Sequence, residues 1–374
     1  VPDCRRAQGA AHVENVVYNL ATLGFGPFFE EQLLAQGGDT QVPARIAAEH
    51  RGAYQVWGEA GVGPAQLAGR LRAGDQESGP PGVGDWVVLR DSPRPDRTTV
   101  VDRVLQRRTV FTRGAAGRAA RPQVIAANVD LVLVVTGLDG DFNPRRVERY
   151  LARVWASGAK PLVILNKADL CDDVEGRIAE VETHGAGVPV YVTSALHAAG
   201  LEAVRACILP GMTVALVGSS GAGKSTLVNA LLGEARMPTG KVRDSDGRGC
   251  HVTTHRQLVL LPGGGLLLDT PGMRELQLVD QEGLDVVFGD VAALARGCRF
   301  RDCRHQAEPG CAVREAVDAG DLPPDRLEHY LQLEHEAAAY ELRHDERRRR
   351  QAERVWGQLS DEVAQLRRWK GGKP

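Results

Sequence analysis

The hydrophobic pattern of the chain changes texture twice along its length. Between about residues 41 and 112 the apolar residues come in short runs broken by Gly and Pro: Gln41–Trp57 with a turn near Arg51-Gly52, then Gln66–Leu71, Asp85–Leu89 and Thr98–Leu105. Runs of this length, separated by Gly79-Pro80-Pro81-Gly82 and Ser92-Pro93-Arg94-Pro95, predict an all-β unit. Four or five strands suit a small OB-like barrel better than a sandwich. A Gly/Ala/Arg-rich stretch, Arg113–Arg121, then reads as a linker. Beyond it strands (Asp130–Thr136, Pro161–Leu165, Val188–Val192, Thr213–Val217, Gln257–Leu261, Leu266–Leu268) alternate with helices (Pro144–Ser157, after Asp173, Leu201–Cys207, from Lys224). Such alternation implies an α/β unit whose parallel sheet is covered on both faces. After about residue 280 the pattern is helical, interrupted by a cysteine cluster and ending in a charged helix from Pro324 to Arg350 or beyond. The expected organisation is an extension (1–40, with a short amphipathic piece Leu20–Leu34), a barrel (41–112), an α/β domain (113–280) and a helical C-terminal domain (281–374).

Composition narrows the class. With 43% hydrophobic and 25% charged residues and a net charge of −2, the 374-residue chain is of ordinary globular type, so any nucleic-acid surface must be local. No run reaches the roughly 20 apolar residues of a membrane span. Residues 1–20 lack the basic start, apolar middle and cleavage site of a secretory signal. The seven cysteines, three of them close together, suit a reducing cytoplasm with one metal site rather than a disulfide scaffold. A cytoplasmic monomer without membrane contact is expected. Only six of the 46 basic residues are lysine, so each lysine marks a place where a compact ammonium differs from a guanidinium.

Two of those lysines fall in nucleotide-binding motifs. Gly218-Ser219-Ser220-Gly221-Ala222-Gly223-Lys224-Ser225 follows an apolar strand and opens the helix that begins Thr226-Leu227. There the backbone N–H groups of a glycine-rich turn and a helix N-terminus face an anion. Lys224 would reach the β/γ oxygens and Ser225 would ligate Mg²⁺. Asn166-Lys167-Ala168-Asp169 ends another buried strand. Asp169 would accept from the two donors on the guanine edge, Lys167 would lay its stem over the ring, and Asn166 would tie loops together; adenine would leave the carboxylate unpaired. Thr193-Ser194-Ala195 takes the place of the loop whose backbone N–H supports the guanine O6. Asp269-Thr270-Pro271-Gly272 fits the loop in which Asp meets Mg²⁺ through water and the Gly amide senses the γ-phosphate.

The order of these motifs is unusual, because the base-reading loops precede the phosphate loop. They converge on one nucleotide if the GTPase sheet is circularly permuted. The polar segment 237–255 suits the first switch, with Thr253 or Thr254 as the Mg²⁺-sensing hydroxyl. Met273 stands where many GTPases carry a water-orienting Gln, and a thioether cannot orient water. His251 is the candidate to replace it, beside the alternative of a solvated or RNA-facing loop histidine.

Cys298, Cys303, His305 and Cys311 supply three thiolates and an imidazole within fourteen residues, enough to close a structural tetrahedral Zn²⁺ site around a basic knuckle, Arg299 to Arg304. Candidate RNA contacts are the barrel aromatics Tyr54, Trp57 and Trp86, the linker arginines, and the tail with Arg347–Arg350, Arg367, Arg368 and Lys370. The aromatics can equally be core, and acidic residues intersperse the tail as on a solvated helix.

The succession of small barrel, permuted GTPase sheet and Cys-x4-Cys-x-His-x5-Cys helical domain resembles the RsgA (YjeQ) family of small-subunit biogenesis GTPases. Further matching segments are Glu49-His50-Arg51-Gly52-x-Tyr54-x-Val56, Val83-Gly84-Asp85-Trp86-Val87, Gln123–Asp130 and Leu138-Asp139-Gly140-Asp141-Phe142-Asn143. The resemblance implies a GTP hydrolase that binds the small ribosomal subunit and its rRNA late in maturation and is stimulated by it. The alternative is a GTP-dependent RNA-binding switch with negligible turnover. Val252 departs from the His-Thr-Thr-Thr usual in the family, and the tail is more acidic than its Lys-rich ends.

Overall fold

A computed structural model of the chain describes residues 17–35, 41–50, 52–72, 80–113, 123–185, 187–237, 256–269 and 281–344. The N-terminal piece is a 3-10 turn, Leu20–Leu23, followed by α1 (Pro27–Leu34), which Pro27 opens at the first helical position. Next come β1 (Val42–His50), β2 (Ala53–Gly58), β3 (Gly61–Leu67), the short α2 (Gly69–Arg72), β4 (Trp86–Leu89) and β5 (Thr99–Val104). These strands pair in the order β1-β2-β3-β5-β4, and β4 returns to β1, so the sheet closes; only β3 and β5 run parallel. This is the expected OB-like barrel. Ile46, Val56, Ala65, Val87, Leu89 and Val101 fill its interior.

The barrel differs from expectation in one strand. The third strand spans Gly61–Leu67 instead of Gln66–Leu71, whose end coils into α2. Gly63 is required in this strand because a Cβ would lie 2.5 Å from the Arg94 carbonyl oxygen. Two of the barrel aromatics take the core alternative. Trp86 is fully buried and Tyr54 nearly so, while Trp57 stacks on Tyr18 at 5.2 Å. Every residue of β4 is buried, Val87 and Leu89 inside the barrel and Trp86 outside it against Phe25 and Phe29. The N-terminal piece thus covers an apolar outer face of the barrel.

After β6 (Val110–Arg113) and β7 (Gln123–Ala127), an antiparallel pair that flanks the expected linker, the α/β series begins. It comprises β8 (Leu131–Gly137), α3 (Pro144–Ala156), β9 (Lys160–Asn166), α4 (Val174–His184), β10 (Val190–Val192), α5 (Leu201–Ala206), β11 (Thr213–Val217), α6 (Lys224–Leu232), β12 (Arg256–Leu260) and β13 (Leu266–Asp269). Spatial order is β10-β9-β8-β11-β13-β12, parallel except for β12. The central strands are apolar throughout because both faces are covered. Val132, Val134, Val163 and Leu165 pack on one side, and Leu131, Leu133, Leu162 and Ile164 on the other.

Barrel and sheet are joined. β1 pairs with β12 at Ala48↔Gln257 and Glu49↔Arg256. The buried Arg45 donates to the carbonyls of Leu23, Gly84 and Asn128 and to Thr213 Oγ1, so one guanidinium links the N-terminal piece, the barrel and the start of β11. Burial pushes its pKa down to about 10.

The chain ends in α7 (Gln281–Val287), α8 (Gly289–Ala295), α9 (Ala312–Ala319) and α10 (Pro324–His344). α7 packs closely on α3, where a Cβ on Gly283 would lie 2.2 Å from the Ala152 carbonyl oxygen. Glu148 of α3 is buried between Arg326 and His329 of α10, and Arg326 also bonds Asp290 of α8. Among the described residues no helix is long and apolar enough to cross a membrane.

Candidate functional site

Parallel strands place the loops at their C-terminal ends along one edge of the sheet, and here β11, β8 and β9 bring the separated motifs side by side. The phosphate loop leaves β11 through Gly218, Gly221 and Gly223, at φ 146°, 84° and 90°, which other residues rarely adopt. Gly218 lies against β8, where a Cβ would fall 2.0 Å from the Val135 carbonyl oxygen. Gly223 caps α6, so Lys224, Ser225 and Thr226 form its first turn. Lys224 Nζ donates to the carbonyls of Gly218, at 2.8 Å, and Ser219, which points the ammonium back over the loop. Ser220 and Gly221 are exposed at the tip of the loop and Ala222 is buried beneath it.

The base loop meets this one directly. Asn166, buried at the end of β9, donates Nδ2 to the Ala222 carbonyl at 3.0 Å. Its Oδ1 accepts from Thr193 Oγ1 at 3.1 Å and from Ala195 N at 3.0 Å. One amide therefore fastens three motifs that the sequence holds apart. Ala168 N–H donates to the Thr193 carbonyl, and Ser194 Oγ donates to Asp169 Oδ1. That hydroxyl is the main reason the Asp169 pKa lies below the usual carboxylate value. Lys167 pairs with Asp139.

Asp269 ends β13 as expected. Burial pushes its pKa above the ordinary carboxylate value, against opposing contributions from Arg236 and Gln257. A partly buried carboxylate of this kind, with the Ser225 hydroxyl on α6, is a hard-oxygen donor set of the sort Mg²⁺ takes. The expected switch residues His251, Thr253, Thr254, Gly272 and Met273 lie outside the described residues, as do the candidate tail contacts.

Sequence reasoning missed several neighbours of the pocket. Asp139 and Asp141 follow β8 at the same sheet edge. Arg146 chiefly, and the Ser219 hydroxyl after it, hold the Asp141 pKa below its usual range. His197 Nδ1 lies 3.0 Å from Ser194 Oγ. Asp139 and Asp141 lie in the family-matching segment 138–143, which carried no assigned role, and His197 had no advance signal beyond its place after a strand.

Between α8 and α9, Cys298, Cys303, His305 and Cys311 bring their donor atoms within 4.8 Å of one another. Cys298 Sγ lies 3.9 Å from Cys311 Sγ and 3.6 Å from His305 Nδ1, and His305 Nδ1 lies 3.4 Å from Cys311 Sγ. A tetrahedron with Zn–S bonds of about 2.3 Å has sulfur–sulfur edges of roughly 3.8 Å, so the cluster has the size of a zinc site. Burial lowers the His305 pKa and keeps the imidazole neutral, as a ligand must be. Glu308, also missed, accepts from the N–H groups of Arg304, Gln306 and Ala307 and so shapes the turn; these bonds, Arg304's foremost, push its pKa down to about 2.

Comparison with known proteins identifies the family. The profile of the RsgA GTPase family matches residues 104–279. A protein of Opitutus terrae named small ribosomal subunit biogenesis GTPase RsgA is 47% identical over 85% of this chain and 90% of its own length. A protein of the same name from Xylella fastidiosa is 50% identical over 78% of this chain and 86% of its own. Among solved structures, YjeQ from Thermotoga maritima superimposes with a TM-score of 0.60 at 26% identity, covering 80% of this chain and 99% of that one. The fold is also that of YloQ, described as a circularly permuted GTPase, with a TM-score of 0.58 at 24% identity over 82% of this chain and 98% of that one. With a permuted GTPase sheet between an OB-like barrel and a Cys3His cluster, and with this identity over most of its length, the chain belongs to the RsgA family of GTPases.

Proposed function

We propose that this protein hydrolyses GTP in the cytoplasm during late maturation of the small ribosomal subunit, as a monomer that docks on the subunit's rRNA and is stimulated by it. The observation that carries the reading is the Asn166 amide, which unites base loop, Ser-Ala loop and phosphate loop into one pocket. Guanine would be selected by Asp169, whose carboxylate Ser194 keeps in place. The N–H groups of 218–224 and Lys224 would hold the β- and γ-phosphates. Ser225, Asp269 and a switch threonine, Thr253 or Thr254, would hold Mg²⁺, and the Gly272 amide would sense the γ-phosphate. When bound, Mg²⁺ would supply neutralisation of phosphate charge. Nothing at Met273 can orient the attacking water, which leaves His251 or a group from the subunit for that task.

The same reading assigns Cys298, Cys303, His305 and Cys311 to a Zn²⁺ that folds the segment between α8 and α9. With Trp86 and Tyr54 buried and Trp57 stacked on Tyr18, the rRNA contact among the described residues would be the exposed knuckle carrying Arg299, Phe300, Arg301 and Arg304, where Arg299 lies over the Phe300 ring at 5.5 Å. Single-turnover GTP hydrolysis, measured alone and with purified small subunits, tests the proposal. The expected result is slow basal turnover raised by subunits. GTP-dependent subunit binding without stimulation would favour the switch with negligible turnover instead.

A further inference from the structure

The base-loop lysine is held from a direction its motif does not specify. Lys167 takes a left-handed backbone conformation, φ 64°, and its side chain runs back across the pocket. A Cβ placed on Gly137 would lie 3.4 Å from Lys167 Cδ, and one on Gly223 would lie 4.0 Å from Lys167 Cε. The stem therefore passes between the end of β8 and the last glycine of the phosphate loop. At its far end Nζ pairs with Asp139 Oδ2, the two side chains being 27% and 29% exposed. Asp139 is itself fixed: its Oδ1 accepts from Asp141 N at 3.3 Å, and a Cβ on Gly137 would come within 2.9 Å of that oxygen. The loop 138–143 that carries Asp139 also reaches the phosphate loop, through Asp141 and Ser219.

We propose that Asp139 is a positioning residue for guanine recognition, acting through Lys167. It holds the lysine extended before the nucleotide arrives, so that the aliphatic stem already lies along the wall that the purine face must meet. The inference deepens the reading of the pocket as a GTP site and rests on it. A lysine left free would have to lose the rotamer freedom of four torsions on binding, and an ion pair formed beforehand moves that cost out of the binding step. The pair is partly exposed, so its effect is moderate. Asparagine at 139 keeps the shape but loses the charge that holds the ammonium.

The test is titration of the full chain with GDP. Asp139→Asn is expected to weaken GDP binding by about three- to tenfold, and Asp139→Glu to recover most of the loss. In a Lys167→Met background, Asp139→Asn should change nothing further, because the group it acts through is gone. Binding within about twofold of the original for Asp139→Asn, or an equal loss in the Lys167→Met background, would overturn the proposal. So would an Asp139→Asn chain that fails to fold, which would make the residue structural. A natural-sequence chain that binds no GDP would sink the GTP-site reading itself, whereas sound GDP binding with additive substitutions sinks this inference alone.

Discussion

The side chain of Asn166 donates to the carbonyl of Ala222 at 3.0 Å, across 56 positions of sequence, and so fastens the loop that reads the base to the loop that holds phosphate. The contact is tight enough that a Cβ on Gly223 would fall 2.2 Å from Asn166 Nδ2. Its other end satisfies the Ala195 N–H and the Thr193 hydroxyl, both buried. Asn166→Ala leaves these groups and the Ala222 carbonyl without partners. We expect a stability loss of about 2 kcal/mol or more in urea unfolding, with GDP affinity falling alongside it.

Asp169 sets which base is taken. Asn at this position keeps an acceptor for the Ser194 hydroxyl and for a purine N1–H, but presents an N–H₂ where the carboxylate accepted from the guanine amino group. Xanthine has a carbonyl there. Asp169→Asn should therefore shift hydrolysis from GTP toward xanthosine triphosphate by at least about tenfold, read from kcat/KM for the two substrates. An unchanged preference for GTP would refute the role of Asp169.

The carboxylate of Asp269 is held at a cost. Because burial raises its pKa, the folded chain binds that proton more tightly than the unfolded chain. The penalty is thus absent below the unfolded pKa and complete only above the folded one. Asp269→Asn removes the charge while keeping an oxygen for Gln257. It should raise the melting temperature of the nucleotide-free protein and abolish Mg²⁺-dependent hydrolysis, separating stability from activity in one substitution.

How much of this was legible in the sequence depended on the range of the interaction. Leu131–Gly137, Lys160–Asn166 and Thr213–Val217 are strands buried on both faces, so their apolar runs alone place them nearly to the residue. The phosphate loop and the Cys3His set were legible because their spacing is local. β3 was misplaced because no local signal in Gly61–Pro64 records the close approach of Arg94 to Gly63. The burial of Trp86 under Phe25 and Phe29, the four bonds of Arg45 and the pairing of Lys167 with Asp139 join residues far apart in sequence. Neither periodicity nor motif records such partners.

Glu148 is the hinge pin between the GTPase sheet and the C-terminal helices. It is 1% exposed and is shared by Arg326 and His329, while the outer pairs Arg145–Asp325 and Arg149–Glu336 are open to solvent. Exposed pairs are worth little, but removing one member of a buried cluster strands its partners. Glu148→Ala should destabilise the protein by about 3 kcal/mol. It should also open the α3–α10 contact to limited proteolysis. GDP affinity, set by the phosphate and base loops rather than by Glu148, should change little. Arg145→Ala should cost less than about 1 kcal/mol in the same unfolding assay.

The Cys3His cluster sits between α8 and α9, helices of seven and eight residues that bury little on their own. Metal ligation is therefore expected to carry much of the folding free energy of this segment. Acid release should yield about one zinc ion per chain, and Cys303→Ser should reduce it. A strong chelator at neutral pH should lower the melting temperature and loosen α9 and α10, whose Tyr330 lies with its ring 6.3 Å from that of His305. Nucleotide binding at the sheet should persist. Because thiolate and imidazole ligands must stay deprotonated, metal should be lost as the pH falls, and the melting temperature should drop with it. A chain that releases no zinc and melts identically with and without chelator would show the cluster to be a packed set of free thiols.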